Sequence, residues 1–313
     1  ESESVSHTDF YITSFFHPDL LYQISLDNLE LKPVESVSVP YNVSELETRY
    51  VSYPSADGTE ISMYITCKKD VELNGENPVI LYGYGGYGTV VEPFFSQSNA
   101  LFIAHGGILA VPNIRGGGAK GSLWASEGRR LKKQNAIDDF IGAAQYLIDK
   151  NYTQPKKMLI SGASHGGLLV TAAMTQRPKL FKAVIAEAGP YDMLRFNKFT
   201  VGGINSNLLE FGNPETKEDY ENLRSYSPLH NIKKDMKYPN VLLVTGNSDD
   251  RVPPLHSYKF LAALQEKADP SGLYALYVTK GAGHRGSLTQ KDFEDLLLFK
   301  YYFIFDNLGI KFY

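Results

Sequence analysis

The spacing of hydrophobic and polar positions changes near residue 78 of the chain. Before that point, short apolar runs separated by turn residues predict β-strands. A hairpin is predicted with the arms Arg49–Pro54 and Glu60–Lys68. Three further strands are predicted over residues 10–16, 21–26 and 35–39. These three are too short to be stable alone, so we interpret residues 1–48 as part of an all-β unit.

From residue 78 onward, strand-length apolar runs alternate with helical patterns, which is typical of a mostly parallel sheet covered by helices. The predicted strands are Val79–Tyr82, Gly107–Val111, Met158–Ile160, Ala183–Ala186, Val241–Thr245 and Tyr274–Val278. The predicted helices include Asn135–Lys150, Leu255–Ala268 and Lys291–Leu308. The chain is therefore predicted to be an α/β protein, with residues 49–313 as its main domain.

Composition narrows the class of protein. The 31 basic and 35 acidic residues give a net charge of −4, and the basic residues are scattered, which argues against a nucleic-acid or anionic-membrane surface. No apolar run has the length of a membrane span, and the N-terminus has no signal-peptide pattern. The single cysteine, Cys67, favours a reducing compartment. We expect a cytoplasmic protein, with the periplasm left open because the chain does not begin with Met.

The string Gly162-Ala163-Ser164-His165-Gly166 lies between a predicted strand and an apolar helix. This context is that of a nucleophile elbow, a sharp turn that presents a serine above a sheet. The turn strains the backbone of the serine and tolerates only small neighbours. The N-terminus of the following helix favours an anionic intermediate. Ser164 is therefore the candidate nucleophile.

A nucleophilic serine needs a base, and the base needs a carboxylate that orients it. In this architecture the acid and then the histidine follow the serine, on loops beyond the carboxyl ends of later strands. The strand Val241–Thr245 leads into a loop with Asp249 and Asp250, and the last predicted strand leads into a glycine loop with His284. Spacing does not separate Asp249 from Asp250, and Asp192 is a third option.

The other histidines fit the role of the base less well. His165 adjoins the nucleophile and would point away from it, His230 follows no strand, and His256 lies within a predicted helix. The histidines that precede the serine are His7, His17 and His105. His284 is therefore the candidate base.

A tetrahedral intermediate needs two hydrogen-bond donors for its oxyanion. One is expected from the backbone N–H of His165, the residue after the nucleophile. The other is expected from the glycine-rich loop after the first parallel strand, where Tyr84 offers a phenolic hydroxyl. A second glycine-rich stretch, residues 113–122, lacks the phosphate-binding pattern and is interpreted as a structural loop. No Cys/His cluster has metal-ligand spacing, so no metal or cofactor is expected.

With these residues the chain resembles the prolyl oligopeptidase family of serine peptidases, from about Phe10 to its C-terminus. The most specific strings are Leu81–Gly86, Asn113–Gly118, Lys133–Asn135, Asp138–Phe140, Tyr226–Asn231, Asp249–Val252 and Pro254–Ser257. The resemblance implies an α/β-hydrolase domain that cleaves short peptides through an acyl-enzyme. It implies Ser164 as nucleophile, His284 as general base and acid, and Asp249 rather than Asp250 as the orienting carboxylate.

The resemblance also assigns residues around the substrate. Tyr84 matches the family's tyrosine oxyanion donor, and Arg251 matches an arginine that hydrogen-bonds the bound peptide. Tyr87 matches an aromatic side chain that lines the pocket for the residue before the scissile bond, and Val252 and Asn205 are further candidates for substrate binding. Residues 1–48 resemble the closing strands of the β-propeller that caps the catalytic domain in this family. We therefore expect oligopeptide substrates, packing against a propeller in the full-length protein, and a monomer.

Two departures from the family leave the cleavage preference open. Prolyl-specific members stack the proline on a tryptophan, but the corresponding place here is about Asn205, and the only tryptophan, Trp124, lies elsewhere. Members that cleave after Arg or Lys carry two glutamates before a Gly-Asn-Pro string, where this chain retains only Glu210. Post-proline cleavage is favoured by the resemblance. The alternatives are cleavage after Arg or Lys, acyl-aminoacyl peptidase or esterase activity, and, disfavoured by the intact triad, a silent scaffold.

Overall fold

The computed structural model describes residues 6–35, 37–199, 203–286 and 289–310. Within these ranges the strands are β1 (His7–Ile12), β2 (Leu20–Ser25), β3 (Leu31–Pro33), β4 (Leu46–Pro54), β5 (Glu60–Lys68), β6 (Val79–Tyr82), β7 (Ile108–Pro112), β8 (Met158–Ala163), β9 (Ala183–Glu187), β10 (Asn240–Gly246) and β11 (Tyr274–Thr279). The helices are α1 (Gln97–Ala104), α2 (Ser122–Ser126), α3 (Lys133–Asp149), α4 (His165–Gln176), α5 (Phe196–Phe199), α6 (Ile204–Phe211), α7 (Lys217–Tyr226), α8 (Leu255–Lys267) and α9 (Gln290–Leu308). None of them is both long enough and apolar enough to span a bilayer.

Strands β4 to β11 form one sheet, in the order β11-β10-β9-β8-β6-β7-β5-β4. The hairpin β4–β5 joins the sheet through β5, which pairs antiparallel with β7. The other six strands, β6 to β11, are parallel to one another. The chain passes from β6 to β7 on one side and returns to β8 on the other, so its winding direction reverses at β6. Ligands of doubly wound sheets bind outside the carboxyl ends of the strands at such a reversal. The loops after β6 and β8 meet at this place.

The central strands are buried on both faces, which explains their nearly continuous apolar runs. Successive side chains of a strand point to opposite faces. Leu159 packs in a cluster with Phe102 of α1 and Ile304 of α9, whereas its neighbour Ile160 belongs to the opposite cluster, which includes Phe140 of α3. Helices α4 and α8 also cover that second face. This arrangement of three layers is the α/β-hydrolase fold that the sequence predicted.

The predicted hairpin, parallel strands and long helices are present, with small differences at their ends. Strand β8 continues past Ile160 because Ser161, Gly162 and Ala163 keep pairing with β9. The hydrogen-bonded ladder therefore holds the chain in place as far as the residue before the predicted nucleophile.

One predicted strand near the N-terminus was wrong. The described residues of 35–39 contain no strand, and the third strand is Leu31–Pro33 instead. The turn after β2 is tight, since Asn28 accepts a hydrogen bond from the backbone N–H of Glu30 and Leu29 adopts a positive φ of 58°. The returning strand therefore begins directly after the turn and pairs with β2.

The segment after β1 is attached to the large sheet through Phe15. Its side chain is buried, and its ring contacts those of Tyr64 and Phe94. The domain limit predicted after residue 48 falls inside β4, which begins at the buried Leu46. The large sheet therefore begins slightly before the predicted limit.

Candidate active site

Ser164 lies in the turn between β8 and α4. Its backbone has φ 56° and ψ −118°, a conformation that costs energy for any residue with a side chain. The turn is held by a hydrogen bond of 2.7 Å from the N–H of Ser164 to the carbonyl oxygen of Glu187. A Cβ at position 162 would collide with the backbone of Gly166, so glycine is required there. The local structure is that of a nucleophile elbow.

His284 connects Ser164 with Asp249. The hydroxyl of Ser164 lies 3.1 Å from Nε2 of His284, and Nδ1 of His284 lies 2.8 Å from Oδ2 of Asp249. Because a carboxylate can only accept, Nδ1 carries a proton and donates it. Nε2 is then free to accept the proton of Ser164. The three predicted residues therefore form one hydrogen-bonded chain with the polarity that a Ser-His-Asp triad requires.

The loop after β10 selects Asp249 over Asp250. Asp249 is buried, and its Oδ1 accepts hydrogen bonds from the backbone N–H groups of Arg251 (3.0 Å) and Val252 (2.8 Å). Asp250 is exposed. The side chain of Arg251 is also exposed, and its charge lies close enough to Tyr84 and Tyr87 to oppose the rise in the pKa of both phenols.

The third candidate acid and two of the other histidines lie elsewhere. Asp192 forms an ion pair with Lys259, and its backbone N–H donates to Nδ1 of His256 at 3.1 Å. Nδ1 of His230 is hydrogen-bonded with the hydroxyl of Ser227 at 2.8 Å. Within the described residues, none of the hydrogen bonds of these side chains reaches Ser164.

Tyr84 faces Ser164 from the loop after β6. Burial raises the pKa of its phenol, and the contacts with Arg251, Ser164 and Thr89 oppose part of this rise. The phenol is therefore protonated at neutral pH and can donate to a developing oxyanion. The backbone N–H of His165 lies in the first turn of α4, where N–H groups have no partner within the helix. Both groups that sequence reasoning expected to face an oxyanion thus lie beside Ser164.

The imidazole of His165 points away from Ser164, as expected. It is buried, its Nδ1 donates to the carbonyl oxygen of Tyr84 at 2.6 Å, and its Nε2 accepts from the ammonium of Lys133 at 2.9 Å. Burial and the charge of Lys133 hold the pKa of His165 well below its usual value. The ring is therefore neutral.

Lys133 and Glu210 form a buried ion pair that sequence reasoning did not find. Nζ of Lys133 donates to Oε1 of Glu210 at 2.5 Å, and Nε of Arg129 donates to Oε2 at 3.0 Å. Burial lowers the pKa of Lys133, and Glu210 opposes part of this shift. The signal available in the sequence was a lysine one helical turn before Ile137, on the apolar face of α3. The sequence left open whether Glu210 binds a substrate Arg or Lys. Its carboxylate is paired instead with two cations of the protein, Lys133 and Arg129.

Aromatic rings pack around the imidazole of His165, and the ammonium of Lys133 lies 5.4 Å from the centroid of the Phe211 ring. The ring of Tyr87 makes edge contacts with the rings of His165 and Phe211, at centroid distances of 5.8 and 5.9 Å. The rings of His165 and Phe211 are nearly parallel, with centroids 5.6 Å apart. The hydroxyl of Tyr87 donates to Asn207 at 2.7 Å. Asn205, the position predicted to correspond to the missing tryptophan, is exposed on α6, and Asn207 is the asparagine that reaches Tyr87.

The loop over residues 113–122 contains a buried ion pair that braces it. The guanidinium of Arg115 lies 2.6 Å from the carboxylate of Asp139 and 2.6 Å from that of Asp57. The indole N–H of Trp124 donates to the carbonyl of Asn113 at 3.0 Å. These contacts agree with the interpretation as a structural loop. They also hold the only tryptophan of the sequence in this loop region, apart from the rings of Tyr87, His165 and Phe211.

The sequence model of the prolyl oligopeptidase family matches residues 93–311 of this chain. The prolyl endopeptidase of Elizabethkingia miricola is 41% identical over 307 residues, which cover 96% of this chain and 43% of the relative. The chain belongs to the prolyl oligopeptidase family. Prolyl oligopeptidase A of Amanita bisporigera is 45% identical over 249 residues, which cover 78% of this chain and 32% of the relative.

Solved structures of this family share the fold. A structure from a study of two prolyl endopeptidases superposes with a TM-score of 0.91 at 38% identity, over 99% of this chain and 46% of that one. Prolyl oligopeptidase B of Galerina marginata, bound to a 35-residue hydrolysis and macrocyclization substrate, superposes with a TM-score of 0.90 at 33% identity, over 100% of this chain and 45% of that one. This chain therefore spans less than half the length of these family members.

Proposed function

We propose that this chain is the catalytic part of a serine peptidase that hydrolyses short peptides and prefers to cleave after proline. The observation that carries the proposal is the hydrogen-bonded chain of Ser164, His284 and Asp249 beside the phenol of Tyr84. Relatives named prolyl endopeptidase support the substrate class.

In the proposed reaction, Oγ of Ser164 attacks the carbonyl carbon of the scissile bond while Nε2 of His284 takes its proton. Asp249 stabilises the resulting imidazolium, and the oxyanion accepts hydrogen bonds from the phenol of Tyr84 and the N–H of His165. His284 then protonates the amine as the C–N bond breaks, which leaves an ester on Ser164. A water molecule, deprotonated by His284, hydrolyses this ester and regenerates the serine.

The preference for proline rests on the ring of Tyr87, which is partly exposed in the loop after β6 and can take the place of the missing tryptophan. The buried rings of His165 and Phe211 hold it in place through edge contacts. Glu210 supports the same choice, because its charge is already paired with Lys133 and Arg129. A substrate arginine or lysine would lose its hydration without gaining a free carboxylate.

For the natural protein that contains this chain, we infer that residues 1–48 continue into a β-propeller against which the catalytic part packs. The exposed strand β1 in the small antiparallel sheet supports this, since it offers an edge for a further strand. The length of the relatives supports it as well. The buried, unpaired Cys67 is consistent with the cytoplasm, and a monomer remains our expectation.

The test uses matched peptides that differ only in the residue before the scissile bond, with proline, alanine or arginine there. We expect kcat/KM to be at least about tenfold higher for proline than for either alternative. Ser164→Ala should abolish cleavage of all three. Hydrolysis of the corresponding p-nitrophenyl esters without cleavage of any peptide bond would contradict the proposal and favour an esterase of the same fold.

A further inference from the structure

A buried chain of hydrogen bonds lies beneath the proposed oxyanion donors. It begins at the carbonyl oxygen of Tyr84, which accepts from His165 at 2.6 Å. The ring of His165 accepts in turn from Lys133 at 2.9 Å. Lys133 donates to Glu210, which is also bound by Arg129. All of these side chains except Arg129 and Tyr84 are nearly inaccessible to solvent.

Each proposed donor belongs to a residue whose backbone is tied to the imidazole ring of His165. One is the backbone N–H of His165 itself. The other is the phenol of Tyr84, whose own carbonyl oxygen receives the Nδ1–H of that ring. The ring has little room to rotate, since a Cβ at Gly86 would overlap it and Phe211 lies parallel to it. The orientation of His165 therefore determines how the two donors are placed relative to each other.

The partners of the ring fix its protons. A carbonyl oxygen only accepts, so Nδ1 carries the hydrogen, and an ammonium only donates, so Nε2 carries none. Without Lys133, Nε2 would face the carboxylate of Glu210, whose Oε1 lies 3.6 Å away. A carboxylate at that place favours a proton on Nε2. Lys133 thus selects the neutral tautomer that donates to Tyr84.

We propose that Lys133 is a positioning residue for peptide hydrolysis. Through His165 it holds the phenol of Tyr84 and the N–H of His165 in the arrangement that the oxyanion requires. Glu210 and Arg129 hold Lys133 in place. This inference rests on the proposed peptidase function and assigns Lys133 no contact with the substrate.

The test compares Lys133→Met, Glu210→Gln and the double variant in the natural polypeptide that contains this chain. The double variant removes both fully buried charges and leaves only Arg129, which is partly exposed to solvent, without its carboxylate partner. Each is assayed with a proline peptide and with a peptide aldehyde, whose hemiacetal occupies the oxyanion site. We expect kcat to fall about 10- to 100-fold in both Lys133 variants, with KM changed less than about threefold. The inhibition constant of the aldehyde should rise by the same factor as kcat falls.

Glu210→Gln is the matched control, because it keeps an N–H donor of Lys133 for His165, and its kcat should fall less than that of Lys133→Met. A folded double variant with unchanged kcat and aldehyde affinity would overturn the proposal. So would a rise in KM alone, which would mean that the network shapes the substrate pocket. If instead the unsubstituted protein cleaves no peptide and Ser164 takes no covalent label, the proposed function itself is wrong.

A second measurement needs no substitution. The imidazole ¹⁵N shifts of His165 in the unsubstituted protein should show a neutral ring protonated at Nδ1 from pH 5 to 8. An imidazolium, or a ring protonated at Nε2, would overturn the proposed role of Lys133.

Discussion

Oε1 of Glu210 lies 2.5 Å from Nζ of Lys133, and each side chain exposes only 1% of its surface. Arg129 binds the second carboxylate oxygen at 3.0 Å. A buried carboxylate held by two cations is costly to separate from them, because either charge would be left without a partner. The glutamate that could have recognised a basic substrate residue is therefore part of the interior of the protein.

Glu210→Gln should leave the substrate preference unchanged. We expect the ratio of kcat/KM for matched proline and arginine peptides to stay within about threefold of the unsubstituted value, because Glu210 does not face the substrate. The ratio is measured by competition between the two peptides in one reaction. A selective loss of cleavage after arginine would show that Glu210 lines the pocket.

Asp249→Asn should lower kcat by about 10⁴-fold, because the amide can no longer hold the imidazole in the tautomer that accepts the serine proton. Asp250→Asn in the same loop is the matched control and should change kcat by less than about twofold. Both are measured by steady-state kinetics on a proline peptide. Equal losses in the two variants would contradict the assignment of Asp249.

Tyr84→Phe should lower kcat by about 10²- to 10³-fold with little change in KM, as expected for a donor used only in the transition state. Tyr82→Phe, two residues earlier, removes the hydroxyl of a ring that packs against Phe94 and should lower kcat far less than Tyr84→Phe. Stopped-flow measurement of acylation gives the comparison directly. A Tyr84→Phe variant with normal acylation would remove Tyr84 from the oxyanion site.

The buried His256 should make the folded protein less stable in acid. Burial, with the charge of Lys259 assisting and those of Asp192 and Asp249 opposing, lowers the pKa of His256 to about 4. The unfolded state, with a pKa near 6.5, therefore binds more protons between these values, and the free energy of unfolding falls as the pH drops from about 6.5 to about 4. For this group alone the loss is at most about 3 kcal/mol.

Urea unfolding at several pH values measures this effect. His256→Asn keeps an acceptor for the backbone N–H of Asp192 and should show a smaller loss between pH 7 and 4 than the unsubstituted protein. Burial and the charge of Lys133 also lower the pKa of His165, so His165 adds to the pH dependence of the free energy of unfolding in both proteins. Identical pH dependence would mean that His256 is not neutral in the folded protein.

The parts of this molecule that follow from local pattern were predictable. Strands buried on both faces are predicted from their apolar runs, and Ser164 and His284 are found because each lies in the turn or loop that follows a predicted strand. The choice between Asp249 and Asp250 was not accessible from spacing, since both lie in one loop. It depends on the turn in which Asp249 accepts the N–H groups of Arg251 and Val252.

Features that depend on distant partners were not predictable in the same way. Lys133 and Glu210 are 77 residues apart in sequence, and the pattern around one residue does not predict the other as its partner. Likewise, the third N-terminal strand was misplaced because its position is determined by the tight turn at Asn28 and Leu29, not by its own weak apolar pattern.

The most direct test of the account is covalent labelling with a fluorophosphonate, followed by peptide mapping by mass spectrometry. We predict one adduct, on Ser164, whose formation is lost in Ser164→Ala and strongly slowed in His284→Ala. Absence of labelling, or an adduct on another residue that persists in Ser164→Ala, would contradict the assignment of Ser164 as the nucleophile.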